Sequence, residues 1–429
     1  LLPDKDGYYV LDDDVQMEKA LIILKGNHVH LCLNGHTLTA ANGSMFFDLR
    51  AGAKLTICDC TAKTVDGEYT AGKLTGGTGA IGGAIHARAG SEFYLYDGIF
   101  CENTTTGNGG AIYMDAASAD YPGAVFCMYG GMLCHNVGGY GGAIRLSAPA
   151  SADLAGPTFV MEGGWICHNE SPNFGGAFHA AGNATITLLG GVIEENTAAQ
   201  GGGAFSINGI TAVELSGTVI RNNAAVTWGG GMYIRSGATL NMTGGEICGN
   251  SAKVGAGLLL EGEGTTLNLI DGKITGNKAG AAGGGGLYAS SKTVVNMTGG
   301  EISGNKTEGY GGGLALYAST GNISGGVITS NTAVRGGGMS LQGSQVLLGE
   351  TRVSNNQASN SGGGVYIARA NTLGSNVTID GTVISNNNAK EAGGGVFVFM
   401  NGNTATMKSG RVIDNAAKNG GGIVVQRIC

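Results

Sequence analysis

Side chains that can carry out acid–base chemistry concentrate in the first half of this sequence. His86, Arg145 and His179 occupy equivalent positions in segments that repeat one another, and Asp48 precedes them at the same position. An imidazole could act there as a general base, a carboxylate as a general acid, and a guanidinium could neutralise a uronate or position a hydroxyl group. That is the chemistry of a polysaccharide lyase or glycoside hydrolase, with Asp48, His86, Arg145 and His179 as candidate catalytic residues.

Two insertions near this row add further polar groups. The extra residues fall at 115–122 and 147–157 and lengthen two consecutive repeats. Stacked loops of this kind would wall the row on one side, and binding function concentrates in such loops. Their carboxylates could supply the acid or bind Ca²⁺. The candidate ligand-binding residues are Tyr113, Asp115, Asp120 and Asp153.

Cysteine and histidine form a second candidate site. Cys134-His135 and Cys167-His168 repeat at identical positions, and thiolate with imidazole favours Zn²⁺. A structural alternative stays open, because Cys101 occupies the same position one repeat earlier. The three cysteines would then stack about 4.8 Å apart, within reach of disulfide formation. The row of Asp48, His86, Arg145 and His179 has a structural alternative too: these residues would be solvated outward positions of a polar face with no catalytic role.

The elements that position these residues follow from a repeat. A Gly-Gly pair returns about every 27 residues, and an apolar residue followed three positions later by Asn recurs between the pairs. A period of that length indicates a solenoid or a related array. Each period holds short alternating stretches typical of strands, and three strands of about 3.3 Å per residue, plus turns, fill one coil. The sequence therefore predicts an all-β, single-stranded parallel β-helix of about 14–15 coils, right-handed by the rule for parallel crossovers.

The phase of the strands predicts which residues share a row. If Ile85 and Ile112 face inward, the following residue of each coil faces outward. The repeated asparagines would stack in a ladder and bond to one another and to turn backbone. The predicted outward row is Asp48, His86, Tyr113, Arg145, His179, Ser206, Tyr233, Leu259, Tyr288, Ala315, Ser340, Tyr366, Phe397 and Val424.

Composition limits the classes of partner. The net charge is −7, which makes nucleic acid an improbable partner, and no apolar run is long enough for a transmembrane segment. We expect residues 1–25 to form an N-terminal cap and residues 26–429 the β-helix, as part of a larger surface protein. We also expect a monomer, located extracellularly or at the cell surface.

Gly-Gly-Ala-Ile at Gly82, Gly109 and Gly141, with Phe100-Cys-Glu-Asn103, resembles the GGAI and FxxN repeats of the chlamydial polymorphic outer membrane proteins. The resemblance covers roughly residues 80–425. It implies a β-helical passenger exposed on a bacterial surface and a role in adhesion. We expect the ligand to be a polysaccharide or a glycoprotein. It transfers no binding residue, because later repeats read Gly-Gly-Gly and replace Phe by Ile.

Overall fold

Short alternating segments become strands that stack on their counterparts one repeat away. The computed structural model describes residues 4–149, 153–400 and 402–426. The chain divides into two compact units, with the boundary between Val219 and Ile220. Each unit is a parallel β-helix in which one coil carries up to four short strands. We call them the a, b, c and d strands in chain order, beginning with the strand that follows the glycine pair.

In the first unit, the a strands stack parallel and in register, whereas the first pair of d strands has a register shift between Thr105 and Asn108. The a strands are Leu21–Ile23, Phe47–Leu49, Ile85–Ala87, Ile112–Met114, Ile144–Leu146, Phe178–Ala181 and Phe205–Asn208. The b strands are Gly7–Val10, His28–Cys32, Lys54–Cys58, Glu92–Leu95, Val125–Met128, Thr158–Met161, Thr185–Leu188 and Ala212–Leu215. The c strands are Val15–Gln16, Thr37–Thr39, Lys73–Thr75, Ile99–Cys101, Met132–Cys134, Trp165–Cys167 and Val192–Glu194, followed by Val219–Arg221 at the boundary. The d strands are Thr104–Asn108, Val137–Tyr140, Glu170–Ser171 and Thr197–Ala198.

The first unit also contains an antiparallel hairpin. Lys63–Val65 pairs with Glu68–Thr70 on the outside of the coils. At the N-terminal end, the strands between Gly7 and Ile23 pair in parallel with the next coil. The segment expected to form a cap therefore contributes strands of its own, and residues 1–3 lie outside the described residues.

The second unit repeats the same plan. Its a strands are Met232–Arg235, Leu258–Glu261, Leu287–Ser290, Leu314–Tyr317, Met339–Gln342, Val365–Ala368, Val396–Phe399 and Ile423–Gln426. The b and c strands are fused in Thr239–Cys248 and Thr266–Thr275 and separate in Val294–Met297, Glu301–Ser303, Thr320–Ile323, Val327–Thr329, Gln345–Leu348, Arg352–Ser354, Asn376–Ile379, Val383–Ser385, Thr404–Met407 and Arg411–Ile413. The d strands are Ala224–Ala225, Ser251–Val254, Lys278–Gly283, Lys306–Thr307, Thr332–Arg335, Gln357–Ser361, Asn388–Ala392 and Ala416–Asn419.

The repeated asparagines form the predicted internal ladder. In the first unit, the Asn169 amide donates to Asn196 Oδ1 at 2.9 Å and to the carbonyl of Leu133 at 2.9 Å. These side chains are fully buried, so each hydrogen bond satisfies a group that water cannot reach. The backbone turns at the residue before the asparagine, where His135 and His168 have φ of 53° and 54°. The side chain of the asparagine therefore points inward and makes the hydrogen bonds of the ladder.

The core is apolar and tightly spaced. In the first unit, phenylalanine rings stack from coil to coil, with centroids 4.6 Å apart for Phe93 and Phe126 and 5.2 Å apart for Phe126 and Phe159. The glycine pair permits close packing of backbone, because a Cβ on Gly110 would lie 1.9 Å from the carbonyl oxygen of Gly142. Within the described ranges, no helix is long and apolar enough to cross a membrane.

Candidate functional site

The predicted outward row exists with the predicted register. On the first unit, Asp48 pairs with His86, His86 with Tyr113, Tyr113 with Arg145 and Arg145 with His179. The flanking residues of these strands, such as Ile85 and Ala87, point into the core and are fully buried. The row itself is not solvated as the structural alternative expected, since Asp48, His86 and His179 retain only 8%, 6% and 4% exposure. Side chains from neighbouring coils cover it.

Two arginines cover Asp48. Arg88 donates from Nε to Oδ1 at 2.6 Å and from Nη2 to Oδ2 at 3.0 Å, and Arg50 Nη2 lies 3.1 Å from Oδ2. The hydrogen bonds to Asp48 raise the pKa of Arg88. Both carboxylate oxygens are occupied, so Asp48 acts here as an anchor that orients two half-exposed guanidinium groups.

His86 meets a carboxylate from the first long loop. Its Nε2 lies 3.2 Å from Asp115 Oδ2, and its ring contacts Tyr113 edge-on at a centroid distance of 5.3 Å. A histidine beside a carboxylate is the arrangement that orients an imidazole for proton transfer. The structure thus brings together a candidate base and a candidate ligand-binding residue that are 29 positions apart in sequence.

Arg145 is surrounded by rings. Its Nη1 contacts Nδ1 of His179, and its guanidinium lies 5.8 Å from the centroid of Tyr140. Tyr140 in turn meets His179 edge-on at 5.2 Å. Because a guanidinium has no acceptor, Nδ1 of His179 must accept in this contact. Burial lowers the pKa of Arg145.

The two long loops stack on each other as expected. Ala117 donates its backbone N–H to the carbonyl of Ala155 at 2.9 Å, and Ser147 Oγ accepts from the backbone N–H of Ala116 at 2.9 Å. Asp115 lies at the base of this wall, whereas Asp120 and Asp153 are exposed. Residues 150–152 of the second loop lie outside the described residues.

A shallow depression of about 530 Å³ lies between Tyr121 of the first long loop and the residues that directly follow the a strands of the first four coils. Lys25 caps it, with Nζ 3.3 Å from the hydroxyl of Tyr121 and 5.3 Å from the ring centroid. Its lining contains three cationic side chains and one carboxylate. The lining residues are Leu24, Lys25, Arg50, Ala51, Arg88, Ala89, Asp115 and Tyr121.

Sequence reasoning missed four of these residues: Lys25, Arg50, Arg88 and Tyr121. A signal for the two arginines was present, because each stands two positions after the row residue and precedes Ala-Gly. Nothing in the local sequence joins Lys25 to Tyr121, which are 96 residues apart.

The second candidate site is a buried cysteine row. Cys101, Cys134 and Cys167 are in register and pack with Ile99 beneath Tyr69 and Trp165. All three are free thiols in the described chain. Their hydrogen bonds to one another and burial raise the pKa of Cys101.

His135 and His168, by contrast, lie at the corners of their coils. Their rings stack at 4.9 Å, and His168 Nε2 lies 2.6 Å from Glu195 Oε2. Within the described residues, no group of three or more His, Cys, Asp and Glu side chains is arranged to hold a metal ion. Zinc at Cys134, His135, Cys167 and His168 therefore stays a prediction from the sequence, as does Ca²⁺ at the loop carboxylates.

Comparison with known families agrees with this architecture. Residues 256–427 match the family model of the right handed beta helix region. Residues 97–115, which contain the second Gly-Gly-Ala-Ile segment and Tyr113, match the Chlamydia polymorphic membrane protein repeat. The chain matches none of the curated proteins or solved structures with which it was compared. The chain thus has the fold of a right-handed parallel β-helix, and its residues 97–115 are similar to the Chlamydia polymorphic membrane protein repeat.

Proposed function

We propose that this chain is the β-helical part of a bacterial surface protein and that it acts as an adhesin or stalk that binds a glycan or a host protein. The support is the repeat at residues 97–115, whose family is named for membrane proteins, together with the rigid stacked coils. The buried asparagine ladder holds those coils at fixed spacing, which suits a stalk that presents a binding surface.

The depression on the first unit is the surface to which we assign ligand binding. Arg50 and Arg88 keep 42% and 37% of their side-chain surface exposed even though Asp48 fixes their orientation. Tyr121 places an aromatic ring beside them, with Lys25 against it. Preoriented cations beside an aromatic ring match the hydroxyl, carboxylate and C–H groups of a sugar chain, and the open shape accepts an extended ligand.

A glycan array probed with the purified chain tests this assignment. We expect binding to a subset of glycans that falls at least tenfold in Tyr121→Ala and in Lys25→Ala. Lys292→Ala serves as the control, because Lys292 is an exposed cation of the second unit that pairs only with Glu263 among the contacts seen for it. Binding that is equal in all four proteins would exclude the depression as the binding surface.

A carbohydrate-active enzyme is the second candidate, and the pairing of His86 with Asp115 favours it. This pair lies at the edge of the depression, because Asp115 both contacts His86 and lines the depression. Mass spectrometry of acidic and neutral polysaccharides after incubation, with and without Ca²⁺, distinguishes the two functions. Oligosaccharides released by the wild-type chain and absent with His86→Ala would establish an enzyme, and unsaturated ends would identify a lyase. If no polysaccharide of the panel yields products, the enzyme is excluded and adhesion is the function that remains.

A further inference from the structure

Arg145 is a largely buried cation that has no anionic partner in the described part of the chain. Its Nη1 contacts an imidazole nitrogen, and its Nε is buried with no hydrogen-bond partner among the residues that the structure describes. Among the described residues, the ionisable groups that act on its charge are the hydroxyl groups of Tyr113 and Tyr140, and no carboxylate does so. Shielded charges in proteins are normally paired, because removing an ion from water without compensation is costly.

The neighbouring carboxylates of the row are already committed. Asp48 binds Arg50 and Arg88, and Asp115 contacts His86. The negative charges of Asp48 and Asp115 are thus balanced by the nearby Arg50 and Arg88. In the described chain, the positive charge of Arg145, two coils beyond His86, has no such balance. Arg145 is not completely buried and its neighbour Tyr140 is 39% exposed, so a ligand can reach it from solvent.

We propose that Arg145 is the anchor for the carboxylate of an acidic polysaccharide, a chain that contains uronate residues. A guanidinium binds carboxylates through paired N–H groups, and Nη1 alone is engaged by His179. Tyr140, whose ring lies 5.8 Å from the guanidinium, keeps 39% of its surface exposed and offers an apolar surface to the C–H groups of a pyranose, which favours a sugar acid over a simple anion. This inference rests on the proposed function and specifies its ligand class.

The chain offers variants that separate binding from folding. Arg145→Met keeps the volume of the side chain and removes the charge. If Arg145 is an anchor without a structural partner, this variant melts at the same temperature as the wild type or higher, because a shielded unpaired charge has been removed. Arg145→Lys keeps the charge and removes the forked donor geometry. Arg352→Met is the matched control, since Arg352 is an exposed arginine in the middle of a strand stack of the second unit.

Calorimetric titration with hexagalacturonate, with its methyl-esterified form and with cellohexaose tests the anchor. We expect hexagalacturonate to bind wild type, to bind Arg145→Met at least tenfold more weakly and Arg145→Lys at an intermediate level, and to bind Arg352→Met as it binds wild type. The esterified and neutral chains should lose little affinity in Arg145→Met.

Three results would overturn the inference. One is unchanged hexagalacturonate binding in a folded Arg145→Met protein, and another is equal binding of the free acid and its methyl ester. The third is binding of cellohexaose by the wild type that is as tight as that of hexagalacturonate. If neutral glycans bind while Arg145 has no effect, the proposed function survives and only the anchor is lost. If no glycan of any class binds, the anchor fails together with the glycan-binding part of the proposed function, and only binding of a host protein is left of it.

Discussion

The side-chain oxygen of Asn277 accepts two hydrogen bonds from Asn250, one from its backbone N–H at 2.9 Å and one from its amide at 3.0 Å. Asn277 donates in the same way to Asn305, and its amide also reaches the carbonyl of Ile247 at 2.9 Å. The side chain of Asn277 thus satisfies two backbone groups of the preceding coil, the N–H of Asn250 and the carbonyl of Ile247, and also bonds to the asparagine side chain of the next coil. The spacing of the coils is fixed by groups that have no access to water.

Loss of one such amide should be costly. Asn277→Ala leaves the buried backbone N–H of Asn250 without an acceptor, so we expect the free energy of unfolding to fall by about 1–3 kcal/mol. Asn296→Ala is the matched control. It removes an amide from the outer face of the same unit, where the Asn296 amide donates to Asn268 at 2.8 Å and water can replace the bond.

Denaturant titration of both variants gives the comparison. The buried variant should lose clearly more stability than the surface variant. Equal losses would show that the internal ladder adds nothing beyond an ordinary hydrogen bond.

A buried carboxylate should make the first unit sensitive to acid. Desolvation acts to raise the pKa of Asp59, but hydrogen bonds from Thr61, Gly72 and Gly35 outweigh it and lower the pKa. A lowered pKa in the folded state means that the stabilisation is present above the unfolded value of 3.8 and is lost as pH falls through the folded value. Asp59 therefore stabilises the base of the hairpin at neutral pH.

Asp59→Ala should lower the free energy of unfolding by about 1–3 kcal/mol at pH 7, the cost of unsatisfied donors. The difference from wild type should shrink as the pH is taken below about 3.8, because wild type then also loses the ionised carboxylate. Unfolding curves measured from pH 7 to pH 2 test this. A difference that is independent of pH would mean that the carboxylate charge is irrelevant.

Much of this fold could be predicted from the sequence, because a period of about 27 residues forces equivalent positions into register. The pairing of His86 with Tyr113 and of Arg145 with His179 follows from that period alone. What covers these residues could not be predicted in this way. Tyr140 lies over Arg145 because a d strand ends beside an a strand, a relation between different parts of the coil that the repeat does not specify.

The depression was beyond prediction for a similar reason. It depends on the insertion that carries Tyr121 folding back over Lys25 from three coils away. Insertions interrupt the repeat, so their path follows from packing and not from the period.

The cysteines should differ in their reaction with alkylating reagents. Cys60 is exposed, whereas Cys101, Cys134 and Cys167 are buried beneath Tyr69 and Trp165. Burial and contact with Cys32 raise the pKa of Cys58 to about 11, so this thiol should also react slowly at neutral pH. Contact with Cys32 raises the pKa of Cys60 too, so the faster reaction expected of Cys60 rests on its exposure.

Timed alkylation with iodoacetamide, followed by peptide mass spectrometry, should find Cys60 modified first and the three buried cysteines modified only after denaturation. Cys60→Ser should remove the early product. Rapid modification of Cys134 in the native protein would contradict the packing of the hairpin over the row.

Hydrogen–deuterium exchange of the whole chain, with and without hexagalacturonate, tests most directly whether the first unit carries the glycan-binding surface. We expect the ligand to slow exchange in peptides from residues 115–124, where the loop walls the depression, and to leave peptides from residues 287–342 unchanged. Protection confined to the second unit, or none anywhere at a saturating concentration, would contradict the assignment.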